Sequence, residues 1–306
     1  MNDNAPIVVF VYNRVDHAKA VLNSLACCRL AKESPLYIFS DGAKNEKAAA
    51  AVAEVRKFIN SIELKSCFAK VEVIESPQNK GLAKSVIAGV DAVIRKYNKV
   101  IVVEDDNVVS RDFLVFMNGA LNYYAGNAKV WSIGGYTLPI QFPKNYEKDV
   151  FLMGRGSSYA WATWIDRWDK IDWEIKDYQK FKKDRTLRRK FNKYGNDVSH
   201  MLDRQMSKGI DSWAIRFLYN AFKNDMYFIL PVKSRVKNTG NDGTGVHVSK
   251  SDVRFDIDIE EDHPQAIFED VDFDKRIVKE YRKTFNIPFH IQCKRFIKKL
   301  FKREVK

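Results

Sequence analysis

Four short apolar runs, at 7–12, 36–39, 71–74 and 100–103, three of them rich in β-branched residues, are separated by stretches of helical spacing. That alternation allows few architectures. Strands buried on both faces and joined by helical crossovers make βαβ units and a parallel sheet. Residues 15–30 carry Ala18, Val21, Leu22 and Leu25 at helical intervals. Residues 46–62 form an alanine-rich helix, and residues 77–81 form a turn before a helix over 82–97. The expected class is α/β, with a mostly parallel central sheet flanked by helices.

The pattern changes after about residue 125. A strand is expected over 130–133, then a turn-rich stretch with Gly134, Gly135, Pro139 and Pro143. Four of the six tryptophans lie within 158–173, and a charged helix is expected over 177–193. A helix over 213–223 and a strand over 226–231 precede the glycine-rich stretch 238–245; residues 249–274 are acidic and poorly periodic. This divides the chain into an α/β half (1–125), an α+β half of the same domain (126–250) and a C-terminal extension (251–306).

With 306 residues, 45% of them hydrophobic, the chain can bury one large core or two smaller ones. A formal charge of +13 favours anionic partners: nucleic acid, acidic lipid or phosphorylated small molecules. Cys27, Cys28, Cys67 and Cys293 show no metal-binding spacing, which fits a reducing cytoplasm. Residues 1–6 lack the basic start of a signal peptide, and no apolar stretch is long enough to cross a bilayer.

The chemistry is expected at strand ends. Glu104-Asp105-Asp106 closes the run 99–103, where ligands of open α/β sheets bind. Three adjacent acids repel one another unless a cation compensates, and hard divalent ions prefer such oxygens. The same triplet also suits a polar strand end before a helix N-terminus. Asn13-Arg14 and Ser40-Asp41-Gly42 follow the first and second strands, so parallel pairing brings all three motifs to one edge. Singly, Arg14 also reads as a solvated charge and Asp41-Gly42 as a plain turn. Neither a glycine-rich dinucleotide fingerprint nor a phosphate loop is present.

Val9-Phe-Val-Tyr-Asn-Arg14, Phe39-Ser-Asp-Gly42, Asn79-Lys-Gly-Leu82 and Val103-Glu-Asp-Asp106 together resemble the successive motifs of GT-A-fold glycosyltransferases. The likeness is to the inverting N-acetylglucosaminyltransferase I type and to related bacterial enzymes of the family 2 kind, over roughly residues 7–250. It implies a GT-A fold and transfer of a hexosyl or N-acetylhexosaminyl group from a nucleotide-diphospho-sugar, UDP-linked, to a glycan or lipid-linked acceptor. Bacterial surface polysaccharide or lipopolysaccharide synthesis is the implied setting. Asn13, Arg14 and Asp41 would then contact the donor's base and ribose, with Lys80 nearby. Asp106 would ligate Mn2+ or Mg2+, Asp105 would hold the ribose or a metal-bound water, and Glu104 would support them.

Inverting transfer needs a base for the acceptor hydroxyl. Asp211, in Gly209-Ile-Asp-Ser-Trp213, resembles the family's base-bearing Asp-Asp-Trp segment, with Ser212 in the middle position. It also suits a helix N-cap. Asp166 is a weaker choice, and Asp169 and Asp172 suit a helix surface. The stretch 158–168 resembles the Trp-rich segment of related transferases; Trp161 is expected to line the site, Trp164 and Trp168 to pack in the core. Gly240, Gly243 and Gly245 let backbone N–H groups face a diphosphate, and His247 is placed on the metal or pyrophosphate. Related enzymes close a loop here over the donor.

Near the C-terminus, Cys293, Phe296, Ile297, Leu300 and Phe301 recur at helical spacing among Lys294, Arg295, Lys298, Lys299, Lys302 and Arg303. This basic amphipathic helix suits either an anionic membrane surface, at the cytoplasmic face, or docking on the domain. Two other functions compete: a nucleotidyltransferase acting on a sugar phosphate, and a non-catalytic polyanion-binding protein. The acidic triplet argues against nucleic acid as the partner.

Overall fold

The computed structural model describes residues 4–240 and 253–287. The first half runs β1 (Ile7–Val11), α1 (Val15–Ala26), β2 (Pro35–Ser40), α2 (Glu46–Ile59), a short α3 (Ile62–Lys65), β3 (Lys70–Glu75), α4 (Leu82–Tyr97) and β4 (Lys99–Glu104). β1 and the interior of β4 are fully buried, as strands covered on both faces must be. α4 turns Val86, Val90, Val93 and Ile94 inward at helical spacing. Its Gly89 lets the helix approach the Phe10 ring, which an added Cβ would meet at 2.7 Å.

The second half contains β5 (Asn107–Val109), α5 (Phe113–Tyr123), β6 (Val130–Gly134), β7 (Val150–Met153), β8 (Trp161–Trp164), α6 (Ile165–Trp168), α7 (Tyr178–Lys183), α8 (Arg185–Phe191), α9 (Val198–Met206), α10 (Trp213–Lys223), β9 (Tyr227–Pro231), β10 (Val236–Asn238) and α11 (Lys275–Phe285). The charged stretch 177–193 is two helices rather than one. Asp184 ends α7 in an extended conformation and caps α8 by accepting from the Leu187 N–H.

Eight strands form one sheet in the order β3-β2-β1-β4-β8-β6-β9-β7. Its first four strands are parallel. Beyond β4 it is mixed: β8 is antiparallel to both β4 and β6, β9 is parallel to β6, and β7 is antiparallel to β9. The molecule is thus a mixed α/β protein with a large central sheet. A separate antiparallel ribbon joins β5 to β10.

The main core extends from Ala5 to Tyr281, so the chain on either side of residue 125 shares it. A smaller core under α7–α10 holds Phe181, Phe191, Leu202 and Tyr219. Residues 256–274 cross the surface as a strap without regular structure. Phe268 packs on Phe116, and buried His263 meets Asp112. Among the described residues no helix is long and apolar enough to cross a membrane.

Candidate functional site

Parallel pairing of β1 with β2 and β4 brings the C-terminal ends of the three strands to one edge. Arg14, just past β1, reaches across to the end of β4. Its Nη2 pairs with Asp105 Oδ1 and, at 2.9 Å, with Asp106 Oδ2. Burial works against the charge on Arg14, yet Asp105 and Asp106 hold its guanidinium above the ordinary value. Burial raises the Asp105 carboxyl, with Arg14 pulling the other way. The cation that compensates the acids is therefore supplied by the chain itself. Nη1 of Arg14 is buried and has no partner among the described residues.

The ribbon supplies the other wall. β10 sets Asn238 opposite Asn107, and both side-chain amides donate to Asp106 Oδ1, at 3.0 and 3.1 Å. The Thr239 N–H donates to the Asp106 carbonyl at 2.7 Å. Position 240 needs glycine, because a Cβ there would lie 2.5 Å from Asp106 Oδ2.

A metal at Asp106 is tested by this geometry. Oδ1 already accepts two amide donors and Oδ2 faces a guanidinium. Among the described residues no group of three or more His, Cys, Asp or Glu side chains is placed to hold a metal ion. As arranged, the acids fit a guanidinium and do not fit a divalent ion. His247 and Gly243, and the basic segment 291–306, lie outside the described residues.

Glu104 faces the opposite way. Burial, followed by the Asp106 and Asp105 charges, pushes its carboxyl from an ordinary 4.5 up to about 8. The Trp213 indole N–H reaches Glu104 Oε1 at 3.3 Å. Trp213 opens α10, and Ser212, not Asp211, is the N-cap, accepting from the Ile215 N–H. Asp211 is 60% exposed on its side chain and pairs with Arg216 at 3.1 Å. Trp161 is not at a site surface: it is 1% exposed and stacks on Trp213 with ring centroids 5.0 Å apart. Three indoles (Trp168, Trp161 and Trp213) thus lie in sequence behind the acids. Trp164 and Trp168 are buried, as expected of core residues.

Asp41 is turned toward its own chain. Its carboxylate accepts the N–H groups of Gly42, Lys80 and Gly81 and the Asn79 amide, all at 2.9–3.1 Å. It therefore clamps the loop before α4 to the end of β2 and leaves the Lys80 side chain exposed at the rim. Asn13 is half-buried. Asp166 is tied to Arg167 at 2.7 Å.

Beside Trp213 opens a cavity of about 250 Å3, lined by Tyr136, Arg155, Trp213, Phe228, Tyr281 and Phe285 among others. Arg155 is fixed by both oxygens of Asp197, at 2.6 and 2.9 Å, and lies 3.4 Å from the centre of the Phe285 ring. The sequence gives no signal for this cavity, because its walls come from positions up to 149 residues apart.

No known protein-family model and no curated protein matches the chain. Among solved structures it is similar to residues 1–349 of TarS from S. aureus, with 12% identity and a TM-score of 0.45; the match covers 78% of this chain and 61% of that one. A structure of S. aureus TarS gives 13% identity and a TM-score of 0.42, over 78% of this chain and 37% of that one. The mannosyltransferase PcManGT from Pyrobaculum calidifontis, solved in complex with GDP-Man and Mn2+, gives 12% identity and a TM-score of 0.35, over 53% and 45%. The chain spans less than two thirds of the length of each. These likenesses are too distant to transfer a residue role.

Proposed function

We propose that the chain is a glycosyltransferase that takes a nucleotide-diphospho-sugar at the sheet edge and an acceptor in the aromatic cavity. One observation carries this reading: Trp213 belongs to both places, lining the cavity with its ring and reaching Glu104 with its N–H. A donor on the edge and an acceptor in the cavity would meet beside that indole, and proximity of this kind is a large part of catalysis.

In this reading, the exposed Lys80 receives the diphosphate oxygens, and the positive charge of Arg14 behind the edge helps to stabilise the departing nucleoside diphosphate. Glu104, a carboxylic acid near neutral pH, donates a hydrogen bond rather than adding a third negative charge. Asp105 and Asp106 hold Arg14 in place. Asp211 is the proposed base for the acceptor hydroxyl, and it must leave Arg216 to act. Attack on the anomeric carbon from the face opposite the nucleotide would invert the configuration. A divalent ion would compete with Arg14 for Asp106, and no step is assigned to it. The acceptor is a glycan or a lipid-linked sugar, because the aromatic side chains lining the cavity suit the apolar face of a pyranose.

The test is a thermal-shift panel of nucleotide sugars and nucleoside diphosphates, in EDTA and in MnCl2. One nucleotide class should raise Tm by about 5 °C at a hundredfold excess over Kd. Incubation with acceptors should then release the nucleoside diphosphate. Release of pyrophosphate instead supports a nucleotidyltransferase, and no shift with any nucleotide overturns the proposal.

A further inference from the structure

The charge of this chain is unevenly placed. Residues 180–193 hold eight cations and one acid, a net +7 within a chain total of +13. α7 and α8 bury Phe181 and Phe191 in the smaller core and leave the cations outside. Arg185, Arg189, Lys190 and Lys193, with Arg282 from α11, line an open groove of about 700 Å3. Among the described residues, Arg188 is the groove cation with an acidic partner, Asp203 at 2.8 Å. Arg185, Arg189, Lys190 and Arg282 have none among the described residues. Arg185 and Arg189 stand one turn apart on the same helix face, where like charges are destabilising. An external anion would relieve that repulsion.

We propose that this groove docks the protein on an acidic phospholipid surface. The inference goes beyond the proposed activity and does not depend on it. Apart from half-buried Arg188, its cations are exposed and spread along an open groove, as suits a plane of headgroups rather than one enclosed phosphate. Among the described residues the groove is lined by Arg, Lys and Asn, and the neighbouring Tyr194 and Phe273 rings lie under Lys193 at 5.1 and 5.0 Å, so nucleic-acid bases would meet cations before an aromatic face. The path of the chain points the same way. Asn196, itself in the groove, binds the Ile287 N–H at 2.6 Å and accompanies Asn286. The sequence that continues from there interleaves six cations, from Lys294 to Arg303, with Phe296, Ile297, Leu300 and Phe301. Basic and apolar residues in alternation are what an acidic bilayer binds, and stable attachment takes more than one such element.

The experiment is cosedimentation of the full-length chain with phosphatidylglycerol/phosphatidylcholine vesicles and with phosphatidylcholine alone. Binding is expected only on the acidic vesicles and should weaken with salt. R185E/R189E/K190E, with the tail intact, should lower the bound fraction about tenfold or more. The milder R185Q/R189Q/K190Q should lie between, and serves if the triple reversal does not fold. K47E/K57E, on the exposed face of α2, should bind like the wild type. Undiminished binding of the groove variants overturns the proposal, because the tail alone would then suffice. An equal loss in K47E/K57E also overturns it, since net charge would then be the cause. So does tighter binding to RNA than to the acidic vesicles.

Discussion

Glu104 carries a consequence for stability. Its carboxyl ionises near 8 in the folded chain and near 4.5 when unfolded. Between those values the folded state binds the extra proton, so stability falls as pH rises through the window and levels off above it. The limiting slope is on the order of 1.4 kcal/mol per pH unit. Glu104→Gln keeps the neutral form, so urea midpoints from pH 5 to 8 should fall less steeply in the variant, which should be the more stable protein at pH 8. Equal slopes would show that Glu104 ionises normally. Arg14 gives a second test. Arg14→Gln strips the counter-charge from Asp105 and Asp106, opening both to a hard cation. Calorimetric titration with MnCl2 should then show about tenfold tighter binding than in the wild type, a difference of about 1.4 kcal/mol. Unchanged affinity would mean that guanidinium and metal do not compete for these acids.

At the scale of elements, the strap over residues 256–274 is held at several points, among them Phe268 on Phe116, the Tyr124 hydroxyl on the Glu269 carbonyl and one buried charged cluster. Asp112 accepts from Ser110 Oγ at 2.7 Å, from Arg235 Nε at 3.1 Å and pairs with His263 Nδ1 at 2.9 Å. Asp112→Ala leaves Arg235 buried without its partner and should cost about 3 kcal/mol of unfolding free energy; a loss under 1 kcal/mol in urea denaturation would show that the cluster relaxes freely. Elements such as this strap are invisible to pattern, because side chains hold it and no backbone period marks it. β1, β2, β4, α2, α4, α10 and β9 were legible, since each carries its own period or bounded apolar run. α5 was not: Phe113, Leu114, Phe116 and Met117 are buried around the helix, which erases the amphipathic signal. β8 hid within a Trp-rich stretch because its partners, β4 and β6, lie far away in sequence. For the site, the shared edge of Arg14 and the acids followed from parallel pairing. That Arg14 itself neutralises them did not, because no sequence says which cation answers an acidic triplet. Asp41 was legible as a strand-end residue, but its clamp on residues 79–81 depends on where a loop 38 residues later returns.

The whole molecule is one sheet that changes character midway. Its parallel part provides the acidic edge, and its mixed part, with α10 and α11, provides the cavity. Ending the chain at residue 270 removes Tyr281 and Phe285 from that cavity and Ile277 from the core. Such a chain should lose acceptor turnover while still responding to nucleotide in a thermal shift; loss of both would show that α11 holds up the entire fold. The order of these parts along the chain also bears on how the protein is made. The acidic edge draws on the first 106 residues and on the Asn238–Gly240 wall, whereas the cavity also needs Tyr281 and Phe285. In the proposed reading, a chain made only as far as Gly240 would carry the donor edge but not the walls at Tyr281 and Phe285 that finish the acceptor cavity.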